Sequence, residues 1–101
     1  MRDKLAPYLE KFVLCKGWIE DWSSIDEETT RVYIKNPVIK SPNRNVHFDD
    51  LKIISKEHHI NLFLKGKHPK LRRLDEIFFT GNVSRYVRSN GTTDYGINPL
   101  P

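Results

Sequence analysis

The sequence predicts a mainly β domain rolled into a small five-stranded barrel, and three observations carry that prediction. Residues 11–22 and 75–88 are long runs rich in β-branched and aromatic residues, each with a glycine near its middle, Gly17 and Gly81. Residues 59–64 alternate between two faces with the period of a strand. Ser89, Asn90 and Gly91 form a hairpin-turn signal, because Asn-Gly tolerates the positive φ that tight hairpins demand.

Residues 1–10 read as an N-terminal arm or short helix, ahead of a barrel domain over residues 11–101. Leu5, Tyr8 and Leu9 share one helical face, and Pro7 confines any helix to its first turn. A glycine inside the first strand marks a bulge or bend, which a strand needs to coil round a small barrel. Trp18, beside Gly17, is expected in the core; Trp22, at the strand end, fits core and surface equally. Residues 23–30 form a polar, acidic loop. A second strand covers residues 30–34, and Asn36-Pro37 ends or bends it because proline cannot donate to a ladder; pairing can resume at Val38 and Ile39. Residues 41–45 are a turn cluster.

Residues 46–57 admit two readings. Phe48, Leu51 and Ile54 have helical spacing behind Asp49 and Asp50, yet residues 51–55 also suit a strand in a hairpin. The next strand sends Ile60, Leu62 and Leu64 one way and His59, Asn61, Phe63 and Lys65 the other. A basic connector over residues 65–73 has room for one helical turn after Pro69. The long run 75–88, the Asn-Gly turn and a returning strand at 92–97 complete the order.

This order resembles the OB-fold, a five-stranded Greek-key barrel. The segment Asp75-Glu-Ile-Phe-Phe-Thr-Gly-Asn-Val-Ser-Arg-Tyr86 is similar to that family's recurring fourth strand, where an acidic turn precedes an apolar run, a glycine, a valine and an aromatic. The resemblance covers roughly residues 11–97 and implies a ligand face on strands two and three with the adjoining loops. Residues 46–57 depart from the simplest pattern and the helix before strand four is very short, so an SH3-like barrel is the competing architecture.

A chain of 101 residues holds one domain and one core. Its net charge of +4 is unevenly spread: residues 31–73 carry eleven Lys and Arg against three Asp and Glu, while residues 1–30 carry four against seven. Such asymmetry attracts a polyanion; the plainer reading is a solvated basic face. The single cysteine, Cys15, fits a reducing compartment. With no apolar run of signal-peptide or membrane-span length, the protein is expected to be soluble and cytoplasmic.

If Val32 and Ile34 point inward, alternation sends Arg31, Tyr33 and Lys35 outward together, beside Phe63 and Lys65 of the next strand. Exposed rings at Tyr33 and Phe63 would be platforms for nucleobases, each stack contributing ~1–3 kcal/mol; the alternative is that they pack as ordinary core. Lys67, Lys70, Arg72 and Arg73 would add a salt-sensitive basic funnel, with Arg85 and Arg88 as a far wall and Trp22 as a further ring. Chemistry has no such footing. Cys15 lies in an apolar strand, the setting of an inert small hydrophobe. The serines stand in no nucleophile motif, and surface or capping duty accounts for Asp49 and Asp50. His47, His58, His59 and His68 lack metal-site spacing. The expectation is a non-enzymatic protein without cofactor or metal that binds single-stranded nucleic acid. The alternative is a protein-interaction module using the same surface, such as a phage- or mobile-element-type inhibitor or a homodimerising barrel.

Overall fold

A computed structural model describes residues 3–43, 45–66 and 70–99. Six strands, β1 (Phe12–Ser24), β2 (Thr29–Lys40), β3 (Ile53–Lys56), β4 (His59–Lys65), β5 (Glu76–Val87) and β6 (Thr93–Pro99), form one antiparallel sheet. Its order is β2, β1, β5, β6, with β4 and β3 laid end to end along the other edge of β2. Six strands therefore occupy five positions, which corrects the expected strand count without widening the sheet. The sheet curls into a half-barrel around Val13, Cys15, Ile19, Val32, Ile34, Ile60, Leu62, Val83 and Ile97. At the seam, β4 and β6 run side by side in the same direction with no ladder between them among the described residues.

The ambiguous segment 46–57 divides between its two readings. Phe48–Asp50 make one 3-10 turn, and Leu51 returns the backbone to the extended region. Ile53–Lys56 then pair with Val38–Lys40, so ladder bonds to β2 replace the longer helix that the spacing allowed. Asp3–Tyr8 form a 3-10 helix that is no loose arm, since Leu5 is fully buried in the core and the Glu10 N–H donates to the Val83 carbonyl at 2.9 Å. The helical turn expected after Pro69 begins outside the described residues, and residues 70–75 contain no helix. The Asn90-Gly91 turn forms as expected, with Gly91 at φ +85° and its N–H bonded to the Arg88 carbonyl.

Two register shifts shape the roll. Lys16 pairs with Val38 but Trp18 with Lys35, so Gly17 stands opposite both Asn36 and Pro37. β2 thus runs on through the proline, and the left-handed Asn36 (φ +51°) absorbs the extra residue. A second shift inserts Glu20 into β1 between the pairs Ile19–Ile34 and Asp21–Tyr33. Val13, Cys15, Gly17 and Ile19 face inward, which puts Trp18 on the outer face, 43% exposed, and corrects its expected core position. The extra Glu20 then inverts the alternation, so Trp22 pairs with Val32 and packs against the core. No helix among the described residues is long and apolar enough to cross a membrane.

Gly17 and Gly81 are glycines because the strands beside them leave no room for a Cβ. At Gly17 a Cβ would meet the Ile34 Cγ2 methyl and lie 3.2 Å from the Lys35 carbonyl oxygen. At Gly81 it would meet the Ile97 Cγ2 methyl and lie 2.6 Å from the Asn98 carbonyl oxygen, a backbone atom that cannot swing aside. Gly81→Ala should therefore lower stability by about 1–3 kcal/mol through overpacking. Urea unfolding measures this, and an unchanged midpoint would show that β5 and β6 are not held so close.

Candidate functional site

Alternation on β2 buries Thr30, Val32 and Ile34 and turns Arg31, Tyr33 and Lys35 outward. On β4 it buries Ile60 and Leu62 and turns His59, Asn61, Phe63 and Lys65 outward. The register sets these side chains in facing pairs: Thr29 with Lys65, Arg31 with Phe63, Tyr33 with Asn61, Lys35 with His59. Phe63 is 51% exposed, so it is not a core ring. Tyr33 is half-buried and stacks on His59, with ring centroids 4.9 Å apart and planes 17° from parallel. The rings and cations singled out on these two strands therefore share one outer surface.

Two hollows flank this surface. Towards β1 lies a cleft of about 580 Å³ lined by Glu20, Asp21, Trp22, Ser23, Arg31, Tyr33 and Arg73. Arg73 reaches it from the connector and pairs with Asp21 at 3.5 Å; both side chains are largely exposed, so the pair is a weak tether. Half-buried Trp22 thus supplies one wall of the cleft even though its ring packs on the core. Towards β6 a groove of about 350 Å³ runs over the seam, where Phe63 and Tyr86 rise on either side of Ile60 and Ile97.

The remaining candidates are dispersed. Lys70 and Arg72 are exposed on the connector, and Lys67, with His68, lies outside the described residues. Arg85 borders a separate cleft with Leu9, Glu10 and Asn82. Arg88 is committed to Asp94: its Nε donates to Oδ2 at 2.8 Å, its terminal nitrogen contacts the same oxygen, and Asp94 is wholly buried. That hydrogen bond and the adjacent carboxylate charge raise the Arg88 pKa above its ordinary value. Arg88 fastens the β5–β6 hairpin and does not line the seam groove beside Phe63. The β1–β2 tip is acidic, with Asp26, Glu27 and Glu28 all exposed, so negative potential bounds the basic face at that end.

A second group of outward side chains, which joins Trp18, Lys16, Phe78 and Phe48 to the already expected Lys35 and His59, escaped the sequence reading as a group. The outermost row runs Glu76, Trp18, Lys35, His59 across β5, β1, β2 and β4, and the row beside it begins Phe78, Lys16, Val38, Lys56. Phe48, carried by the 3-10 turn, packs edge-on against Phe78 at 5.0 Å, while Lys40 Nζ lies 4.4 Å from the Phe48 ring centre and donates to its carbonyl at 2.6 Å. Counting in twos from Val13 and Cys15 finds Trp18. Nothing short of the fold finds Phe48 beside it.

No protein-family model, curated protein or solved structure matches the chain.

Among the described residues, no three His, Cys, Asp or Glu side chains gather as a metal site. Burial pushes the Cys15 thiol up to about 12, which leaves almost no thiolate near neutral pH. Cys15 should therefore react with a disulfide reagent only as fast as the domain unfolds, and at ordinary thiol rates in urea. Fast labelling of the folded protein would show that β1 opens locally.

Proposed function

We propose that this chain is a non-enzymatic binding protein of OB type that holds single-stranded nucleic acid against the outer face of β2 and β4. The observation that carries the reading is the facing pair Arg31 and Phe63, a cation beside an open ring, with the Tyr33–His59 stack and Lys35 one and two residue pairs further along. Rings accept any base face and the cations meet phosphates, a combination that binds single strands with little sequence preference. The order β1, β2, β4 on one side and β1, β5, β6 on the other supports the OB architecture, and the β2–β4 face is where such barrels take oligonucleotides. Arg31, Lys35, Lys65 and Arg73 supply charge to this side of the barrel, and the acidic β1–β2 tip turns a polyanion away from the adjoining end. A lone, buried thiol fits residence in the reducing cytoplasm.

The cleft beside this face favours a second reading. Glu20 and Asp21 share its lining with Arg31 and Arg73, a mixed-charge rim that suits a partner protein better than a phosphate chain.

Titrating short single-stranded DNA and RNA at two salt concentrations separates the readings. Nucleic-acid binding should weaken steeply as salt rises, and Phe63→Ala should reduce affinity roughly five- to hundred-fold, the loss of one stacked base, with its melting temperature close to the parent's. The absence of any binding at low salt would defeat the proposal, as would a Phe63→Ala protein that keeps full affinity.

A further inference from the structure

We infer that the bound single strand does not stop at β2 but crosses the sheet to a second aromatic station formed by Trp18 and Phe78 on β1 and β5. This inference rests on the nucleic-acid reading above and extends it to residues off the β2–β4 face. Lys35 connects the two stations, since it is paired with Trp18 on one side and with His59 on the other, all three outward. From Trp18 to Phe63 the route covers two strand spacings sideways and four residues along β4, about 16 Å over the surface. A strand of the ~4–16 nucleotides that one such barrel occupies spans that distance.

The station has the chemistry the first one has. Trp18 and Phe78 are exposed large rings, at 43% and 53%, on a sheet face where such rings would otherwise be sealed. Lys16 and exposed Lys56 stand in the row with Phe78, and Lys35 in the row with Trp18. The row's one carboxylate, Glu76, is 3.5 Å from Lys16 Nζ, and Asp49 stands on the rim of the shallow cleft of about 290 Å³ beside Trp18. Cations therefore outnumber carboxylates around the rings, and the excess complements phosphate. Phe48, clasped between Phe78 and Lys40, gives the station a fixed floor.

The route also has a direction. The acidic tip after β1 bars one way off the β2–β4 face, and the Trp18 station lies on the other side of Lys35.

The test compares a very short oligothymidylate (~2 residues), too short to cover both stations, with a longer one (~12 residues) on the parent, Trp18→Ala and Phe63→Ala proteins. Trp18 is exposed, so its removal should leave the melting temperature in place. Trp18→Ala should lower affinity for the long oligomer about ten-fold and leave the short one within about two-fold, while Phe63→Ala lowers both. In a Trp22→Phe background, the long oligomer should quench the remaining Trp18 emission. Unaltered long-oligomer affinity in Trp18→Ala, with the Phe63→Ala loss intact, would overturn the extended route and leave the first station standing. A parent protein that binds neither oligomer would bring down the nucleic-acid reading itself and assign both stations to a protein partner.

Discussion

The roll of the sheet depends on two inward-facing positions that have no side chain. At Gly17 and Gly81 the neighbouring strands come so near that an isoleucine methyl from across the ladder, Ile34 or Ile97, fills the space of a Cβ. Glycine inside a strand costs about 0.5–1 kcal/mol in backbone entropy relative to alanine. Here that cost is offset by the burial of Ile34 and Ile97, both in the core. A flatter sheet would leave β4 and β6 far apart and Leu62 open to water. Because it is rolled, the sheet brings β4 towards β6, and Phe63 and Tyr86 line one groove.

What faces outward is decided by parity, and parity is decided by bulges. Unbroken alternation from Val13 to Ile19 turns Trp18 out, and the one extra residue in β1, Glu20, turns Trp22 in. The two tryptophans are four residues apart and would share a face on an unbroken strand. Their opposite fates give the chain one aromatic on each side of β1, one joining the core and the other joining the row that contains Lys35.

Much of this was legible in the residues. The alternation within 30–35 and 59–65 assigned inner and outer faces correctly because those stretches contain no bulge, and the Asn90-Gly91 turn was legible because its chemistry is local. Trp18 is expected in the core because Gly17 reads as a bulge in β1, whereas the extra residue lies across the ladder in β2 and β1 alternates unbroken from Val13 to Ile19. β3 was ambiguous because its four residues are held by pairing to β2, a partner well away in sequence. Arg88 read as a free cation because the carboxylate that takes it, Asp94, reaches it only through the β5–β6 register. Phe48 was invisible as a surface ring because a 3-10 turn, not a strand, delivers it to Phe78.

Among the described residues no ladder joins β4 to β6, so the molecule is a rolled ribbon and not a hoop. A hoop must break a ladder to widen, whereas this sheet can slacken its curl between β4 and β6 with every strand pair intact. Such slackening uncovers Ile60, Leu62 and Ile97 together with two raw strand edges, at far less cost than complete unfolding. Two copies that slacken at once present each other with matching hems. Should the curl slacken in this way, crowding and warmth would set how readily two such edges meet.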